Sequence, residues 1–319
     1  MSRFNVVMTA PRLAAPAVAV LEAAGCTVHY MPPYPSAEAV AARTAEVRAD
    51  AILTRQGAVS AAAMDASPNL RIVARHGVGV DDVDLAAARA RGLLVTRAPG
   101  SNTAAVAEHT LALLLALAKD LRPLGASIAD GHWRGAATKV RDIAGLRLGL
   151  LGFGAIGQAV AALARPFGMR VAAFDPVADA GSFGAVARAE TLAALLAASD
   201  VVSVHCPYIP ATHHIINAPA LAAMPAGGYV LNTARGGIID EAALLAALES
   251  GHLAGAALDV FENEPPPADH PLRRHPRVLV TPHVAGVTDG SLVNMGVMAA
   301  ECIAAKLTGE QVPEDRIVK

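Results

Sequence analysis

The stretch LGLLGFGAIGQAVAALARPFGMRVAAFD, residues 148–175, decides the fold that this sequence predicts. It begins with a short apolar run at 148–151 and continues through a glycine-rich turn into a helix-forming segment rich in alanine. A second apolar run at 171–174 then ends on a carboxylate. A strand, a glycine turn, a helix and a second strand in this order predict a nucleotide-binding βαβ unit.

The three glycines of the turn have different predicted tasks. Gly152 permits the tight turn, Gly154 lets the backbone approach a pyrophosphate, and Gly157 lets the helix pack close to the strand. The first turn of the helix then offers backbone N–H groups and the positive end of its dipole to phosphate oxygens.

Asp175 follows Gly157 by 18 residues, close to the spacing of about 20 residues at which an acidic side chain binds the adenosine ribose. A carboxylate repels a 2′-phosphate, and the next arginine along the chain is Arg188. We therefore expect NAD rather than NADP as the cofactor. The alternative is that Asp175 only caps the turn after its strand.

The bulk composition excludes several classes of protein. With 319 residues, 54% hydrophobic and 17% charged, the chain is long enough for two compact domains and has little disorder-prone sequence. A net charge of −2 offers no basic field for nucleic acid or an anionic membrane. Three widely spaced cysteines and no secretory pattern at the first residues predict a cytoplasmic protein without a metal cage.

Residues 4–95 alternate short apolar runs with alanine-rich helical stretches, which predicts a separate parallel sheet covered by helices. The helical region near the end of the chain follows the last strand of the cofactor domain and is expected to cross back to this first domain. We therefore predict a substrate-binding domain of residues 1–100 and 285–319 and a dinucleotide-binding domain of residues 101–284. The long apolar helix after residue 102 is expected to be buried at a domain junction or against a second subunit.

The segment Arg75–Asp81, RHGVGVD, follows an apolar strand. Two glycines around one residue at the carboxyl end of a strand can turn backbone N–H groups toward a small anion. A plain structural turn explains the same residues equally well.

Polar residues follow several of the later strands, where ligands bind in open α/β sheets. An arginine in this position can bind a carboxylate and a carbonyl oxygen together, although an interdomain salt bridge is the alternative. A histidine paired with a partly buried carboxylate can stay protonated near neutral pH and donate a proton. These strand-end residues are Arg235, Asp259, Glu264 and His283. Most of the eleven histidines, His213 and His214 among them, are interpreted as hydrogen-bonded structural residues.

Six segments together resemble the D-2-hydroxyacid dehydrogenase family: HGVGVDDVD, SNTAAVAEHT, LGFGAIGQ, NTARGGIID, LDVFENEP and TPHVAG. The resemblance covers essentially the whole chain. It implies an α/β protein with a Rossmann-type NAD-binding domain and a flavodoxin-like, discontinuous substrate domain. It also implies hydride transfer between NAD and a small D-2-hydroxy acid, and a homodimer built on the long helix that starts at Thr103. The segment CPYIPATHH, residues 206–214, differs from the family's usual continuation.

The resemblance also assigns roles to residues. Arg235 would bind and polarise the 2-keto acid, His283 would donate and accept the proton, and Glu264 would orient and tune that histidine. The backbone at Val78 and Gly79 would hold the substrate carboxylate. Ala155 and Ile156, beside Gly152, Gly154 and Gly157, would bind the pyrophosphate of the cofactor, and Asp175 would bind its adenosine ribose. The nicotinamide side of the cofactor would contact Thr233, Ala234 and Asp259. Thr103 would also help to bind the cofactor.

Three alternatives remain open from the sequence. The substrate is either 3-phosphoglycerate, with Arg55, Arg75 and Arg134 as candidate phosphate ligands, or an unphosphorylated acid such as hydroxypyruvate or glyoxylate. A non-catalytic NAD-sensing or scaffold protein on the same fold is a hypothesis of another class. An enzyme acting on formate or phosphite is disfavoured, because the former is expected to replace the glutamate and the latter to carry a lysine near Gly77.

Overall fold

A computed structural model describes residues 3–135 and 138–318 of the chain. The chain divides into two compact units. Unit 1 comprises the chain up to Asn102 and from Val287 onward, and unit 2 is Thr103–Gly286. The predicted boundaries lay two residues earlier at each junction.

The secondary-structure elements alternate along most of the chain. The strands are β1 (Phe4–Met8), β2 (Cys26–Tyr30), β3 (Ala51–Thr54), β4 (Ile72–Arg75), β5 (Leu94–Thr96), β6 (Arg147–Leu151), β7 (Arg170–Phe174), β8 (Ala187–Arg188), β9 (Val201–Val204), β10 (Gly228–Asn232), β11 (Leu253–Leu258) and β12 (Val278–Val280). The helices are α1 (Ala15–Ala23), α2 (Ala37–Glu46), α3 (Ala61–Asp65), α4 (Leu85–Ala90), α5 (Thr103–Ala118), α6 (Leu121–Ala129), α7 (Ala155–Ala164), α8 (Leu192–Ala197), α9 (Ala218–Ala222), α10 (Glu241–Glu249), α11 (Pro271–Arg274) and α12 (Asp289–Thr308).

Unit 1 is built on a parallel sheet of order β2-β1-β3-β4-β5. This is the flavodoxin-like order, and its chain reversal lies between β1 and β3. Helix α12 packs against α1 and β4, so unit 1 is discontinuous in sequence, as predicted. Thr288 starts α12 with a capping box to Ser291, which satisfies backbone N–H groups of its first turn.

Unit 2 is built on a parallel sheet of order β12-β11-β10-β9-β6-β7-β8. The strands on the two sides of β6 are β7 and β9, so the chain reverses direction at β6, as in a Rossmann fold. The predicted strands at 148–151 and 171–174 are confirmed with one residue added at each start. The short β8 and the helix α6 were not predicted.

Both sheets are covered on both faces, which explains their nearly continuous apolar strands. In β1, Val6 and Met8 join one core cluster of unit 1 while Val7 joins the other. In β6, Leu150 and Leu151 likewise face opposite clusters of unit 2. The period-2 alternation of a strand thus divides each core into two layers.

Within the described residues, we find no helix whose length and hydropathy suit a bilayer crossing.

Candidate active site

The glycine turn after β6 is held by close backbone packing. Gly152 has φ +95°, and a Cβ atom there would lie 2.5 Å from the backbone nitrogen of Cys206. A Cβ at Gly157 would lie 2.4 Å from the carbonyl oxygen of Gly152. Both contacts exclude any side chain. At Gly154, by contrast, a Cβ would meet nothing within 4 Å, so this residue borders open space at the start of α7.

The open space at Gly154 suits a phosphate group. Gly154 is the N-cap of α7 and supplies no side-chain cap, and Ala155 and Ile156 form the first turn of that helix. Backbone N–H groups in a first helical turn lack intrahelical partners and attract anions. The residues of this turn therefore fit the pyrophosphate of a dinucleotide.

Asp175 links the end of β7 to the glycine turn. Its Oδ2 accepts a hydrogen bond of 2.8 Å from the backbone N–H of Phe153. Its Oδ1 accepts from the backbone N–H groups of Val177 and Ala178 at 3.0 and 3.2 Å. Asp175 thus does cap the following turn, and it also fixes the loop that precedes α7. An ionised carboxylate has about four acceptor sites, so it retains acceptor capacity for a hydroxyl.

The turn after β10 carries Arg235 and is shaped by Asn232, which the sequence analysis did not single out. Asn232 is buried, its Nδ2 donates to the carbonyl of Arg235 at 2.8 Å, and its Oδ1 accepts from the N–H of Ala234 at 3.0 Å. The Arg235 side chain is half-buried and donates to the Ala234 carbonyl. Thr233 is buried and shares a 3.0 Å hydrogen bond with Thr110 of α5.

Gly236 brings this turn against the segment after β11. A Cβ at Gly236 would lie 1.9 Å from the carbonyl carbon of Phe261, which only glycine permits. The signal was present in the sequence as the pair of glycines after Arg235, but nothing local indicated which segment approaches them.

Asp259, at the end of β11, anchors the loop that carries His283. Its side chain is 1% exposed. Its Oδ1 accepts from the Thr281 hydroxyl at 2.5 Å and from the N–H of Val284 at 2.9 Å, and its Oδ2 accepts from the N–H of Ala285 at 2.8 Å. The backbone of the same loop is also bound, because the N–H of His283 donates to the Asp259 carbonyl at 2.8 Å. His109 of α5 lies 3.7 Å from Oδ1.

His283 and Glu264 form a short pair. Glu264 Oε2 lies 2.6 Å from Nδ1 of His283, and the two side chains are 35% and 50% exposed. The backbone of His283 has φ +53°, an uncommon conformation for a residue with a side chain. Because Nδ1 is engaged, Nε2 is the ring nitrogen left to meet a substrate.

The pKa of Glu264 reflects these neighbours. Burial raises it, but the hydrogen bond and charge of His283, the N–H of Phe261 and the charge of Arg235 outweigh burial and hold the pKa of Glu264 below its usual value. Glu264 is therefore ionised near neutral pH. The three residues predicted as one catalytic group, Arg235, Glu264 and His283, all lie in unit 2, where Glu264 contacts His283 and experiences the charge of Arg235.

Val78 and Gly79 lie in unit 1, in the loop after β4. Arg75 folds over this loop and donates from Nε to the Gly79 carbonyl at 2.8 Å. Its Nη1 donates to the carbonyls of Thr54 and Arg55 and lies 3.3 Å from Asp82. Arg75 is thus engaged in shaping unit 1. Thr103, which was predicted to assist cofactor binding, is the first residue of α5 in unit 2.

Unit 1 contains a cavity of about 450 Å³ lined by Arg12, Arg55 and His76, with the start of α1 and Leu292 of α12. His76 is 5% exposed and its Nδ1 has no hydrogen-bond partner. Burial lowers the pKa of His76 to about 4, with help from the positive charges of Arg55 and Arg75, so the imidazole is neutral at pH 7. Arg134, the third arginine considered for a phosphate, is an exposed residue of unit 2.

Comparison with known proteins agrees with this geometry. Residues 111–285 match the family model described as D-isomer specific 2-hydroxyacid dehydrogenase, NAD binding domain. The chain is 43% identical over 268 residues to D-3-phosphoglycerate dehydrogenase of Mycobacterium leprae, and the aligned region covers 83% of this chain and 51% of that protein. The chain therefore spans about half the length of the curated relatives it matches.

Two solved structures are similar over nearly their whole length. The TT0316 protein of Thermus thermophilus is 37% identical, with a TM-score of 0.91 and coverage of 99% of this chain and 100% of that one. The NADPH-dependent glyoxylate/hydroxypyruvate reductase of Sinorhizobium meliloti, in complex with NADP and malonate, is 30% identical, with a TM-score of 0.86 and coverage of 99% and 97%. Unit 2 is thus a nicotinamide dinucleotide-binding unit.

Proposed function

The chain belongs to the D-isomer specific 2-hydroxyacid dehydrogenases, and we propose that it interconverts a small D-2-hydroxy acid and its 2-keto acid with NAD as cofactor. The observation that carries the proposal is the short His283–Glu264 pair beside Arg235, at the carboxyl edge of a dinucleotide-binding sheet. A non-catalytic NAD-sensing protein has no need of such a pair, since dinucleotide binding alone uses neither group.

The proposed roles follow from the chemistry of each side chain. NAD, held by the turn around Gly154 and by Asp175, would supply the acceptor for the C2 hydrogen, which leaves the hydroxy acid as a hydride. The hydroxyl proton passes to Nε2 of His283, so the C2–O single bond becomes a carbonyl, and reduction runs through the reverse steps. Glu264 holds the imidazole by Nδ1 and stabilises its protonated form. Arg235 offers a planar set of donors to the C2 oxygen and the carboxylate.

The cofactor assignment rests on Asp175 and the turn around Gly154. We propose that Ala155 and Ile156 bind the pyrophosphate and that the Asp175 carboxylate binds the adenosine ribose, which disfavours the 2′-phosphate of NADP. Thr103, Thr233, Ala234 and Asp259 are proposed to line the nicotinamide side. Of these, Asp259 already anchors the His283 loop with both oxygens, so its contact with the cofactor would be additional to a structural task.

For the substrate we propose 3-phosphoglycerate, with its C1 carboxylate on the backbone of Val78 and Gly79. Arg12 and Arg55 line one cavity of unit 1, and two guanidinium groups suit a dianionic phosphate. The name of the Mycobacterium leprae relative points the same way. The Sinorhizobium meliloti reductase supports the second candidate, hydroxypyruvate or glyoxylate.

The remaining proposals concern the state of the protein in the cell. We propose a homodimer, and a cytoplasmic location that accords with the three free cysteines, Cys26, Cys206 and Cys302.

Purified enzyme assayed by NADH absorbance tests the proposed function. We expect turnover of 3-phosphoglycerate with NAD, weaker turnover with NADP, and a kcat/KM reduced about 10²–10³-fold in Arg235→Gln and about 10²–10⁴-fold in His283→Gln. His132→Gln, an exposed histidine of the same unit, serves as the control and should retain activity. Turnover of glyoxylate or hydroxypyruvate alone would select the second candidate, and NAD binding without any turnover would favour the non-catalytic reading.

A further inference from the structure

A group of histidine and carboxylate side chains lies apart from the His283–Glu264 pair, on unit 2. The ligand atoms of His213, His214 and Glu262 all lie within 4.8 Å of one another. We propose that these three side chains form a binding site for a divalent transition-metal ion, with Zn²⁺ as the representative ligand. The inference is independent of the proposed enzymatic function.

Sheet order explains why these residues meet. Strands β9, β10 and β11 are neighbours in the sheet of unit 2, so the segments after their carboxyl ends lie side by side. His213 and His214 follow β9, Glu262 follows β11, and the turn after β10 lies between them. The N–H of His214 donates to the Gly237 carbonyl at 2.9 Å, which ties the histidine segment to that turn.

The two imidazoles face the same side of the chain. Neighbouring side chains of an extended chain point to opposite sides, but His214 has φ +48°. As a result the His213 and His214 rings stack with their centroids 3.9 Å apart. One nitrogen of each ring lies within 4.8 Å of the other and of a Glu262 oxygen, and a side-chain rotation that unstacks one ring would direct both nitrogen lone pairs at a single ion.

The distance between His214 and Glu262 suits two ligands of one ion. His214 Nε2 lies 3.0 Å from Glu262 Oε1. Ligands about 2.0–2.1 Å from a tetrahedral zinc lie roughly 3.3 Å from each other. A metal ion can thus replace the proton of this hydrogen bond with a shift of a few tenths of an ångström. The pair is also accessible, because its side chains are 32% and 38% exposed.

Partners outside the cluster hold two of the ligands. The Tyr208 hydroxyl lies 3.1 Å from Nδ1 of His213, so a metal bound at Nε2 would leave this contact in place. The N–H of Glu262 donates to Glu241 Oε1 at 2.8 Å, and the other Glu241 oxygen lies 3.0 Å from His270. Metal-binding histidines commonly bond a second group through their other ring nitrogen.

The donor set selects the class of ion. Two imidazoles and one carboxylate suit Zn²⁺ and related borderline ions, whereas Mg²⁺ and Ca²⁺ prefer oxygen ligands. Three protein ligands leave one tetrahedral position for water. The sequence prediction of no metal cage was drawn from the cysteines, which take no part in this site.

Isothermal titration of Zn²⁺ into the 319-residue chain, purified without a histidine tag, tests the proposal. We expect one Zn²⁺ per chain, and an affinity lowered at least about tenfold in His213→Ala, His214→Ala and Glu262→Gln, because even the loss of an outer partner weakens metal sites about 10–100-fold. His132→Ala is the control for an exposed histidine outside the site and should bind as the wild type does.

Thermal unfolding provides a second measurement that does not depend on heat of binding. Zn²⁺ should raise the unfolding temperature of the wild type and of His132→Ala but not of the three ligand variants, each compared with its own metal-free unfolding temperature. Mg²⁺ at the same concentration should have no effect. The proposal is overturned if the wild type binds no Zn²⁺, if the ligand variants bind it equally, or if Mg²⁺ binds as well.

Discussion

At the scale of single residues, the carboxylates of Asp259 and Glu264, five positions apart, have two different tasks. Asp259 is buried and accepts hydrogen bonds at both oxygens from the hydroxyl and N–H groups of the loop at residues 281–285. This rigid loop presents His283. Glu264 is partly exposed and directs Oε2 to the imidazole while Oε1 accepts from the N–H of Phe261. The hydrogen bond from Phe261 fixes the orientation of the carboxylate, and Oε2 is thereby directed at the His283 ring.

Glu264→Gln tests the pairing at His283. The substitution keeps a hydrogen-bond acceptor but removes the negative charge 2.6 Å from Nδ1. The pKa of Glu264 is held below its usual value by its neighbours, so the wild type loses this charge only at acidic pH, and the acidic decline of kcat/KM that accompanies the loss should be absent in the variant. The measurement is the pH profile of kcat/KM.

The matched control is Glu249→Gln, which removes an exposed carboxylate at the end of α10. Its pH profile should equal that of the wild type. An acidic decline that persists in Glu264→Gln would contradict the pairing.

At the scale of elements, parallel strands of unit 2 are tied together at their starts by an ion pair. Arg147 begins β6 and Asp200 immediately precedes β9. The guanidinium donates to both carboxylate oxygens at 3.0 and 2.8 Å, and the Arg147 N–H donates to Oδ2 at 2.9 Å. This bidentate ion pair fixes β6 beside β9. The chain reverses direction in the sheet between these two strands.

Asp200→Asn should therefore lower stability in a pH-dependent way. The hydrogen bonds from Arg147 lower the pKa of Asp200 from 3.8 to about 2, although burial opposes them. Because the pKa of Asp200 is lower in the folded state than in the unfolded state, the ionised carboxylate stabilises the folded protein above pH 4. This stabilisation is lost as the pH falls toward 2. Because the Arg147 side chain is 40% exposed, solvent screening reduces the expected loss to roughly 1–2 kcal/mol at pH 7.

Urea unfolding of both proteins at pH 7 and at pH 3 measures this difference. Asp142→Asn is the control, since Asp142 pairs with Lys119 at an exposed position and should change little. An Asp200→Asn difference that stays constant between the two pH values would contradict the assignment.

At the scale of the whole molecule, the surface of unit 2 carries apolar residues that its own core does not cover. The long helix α5 has nine buried residues, so most of its apolar surface is covered. Helix α6 buries none of its residues. Leu121 and Ile128 are 58% and 54% exposed and are seven positions apart, on one face of the helix. Trp133, just beyond α6, is 80% exposed.

We therefore expect the face of α6 to contribute to the proposed homodimer. The double variant Leu121→Asp/Ile128→Asp places two charges on that face and should convert a dimer to a monomer, as measured by light scattering coupled to size-exclusion chromatography. Phe167→Asp alters an exposed apolar residue elsewhere in unit 2 and should remain dimeric. A monomeric wild type, or a dimeric double variant, would contradict the prediction.

The sequence by itself determined the local parts of this protein. The periodic apolar runs predicted the strands, because a strand buried on both faces needs continuous apolar sequence. The glycine spacing predicted the turn after β6, since backbone conformation and close packing there depend on a few adjacent residues. The same local reasoning indicated the polar residues at strand ends, including Arg235, Glu264 and His283.

Only the tertiary structure decided which of these parts meet. The contact of Gly236 with Phe261, the buried anchor at Asp259 and the approach of His214 to Glu262 each join segments that follow different strands. These segments are far apart along the chain, and they meet because the strands that precede them are neighbours in the sheet. That order is set by the packing of whole helices and strands, and no local pattern of residues encodes it.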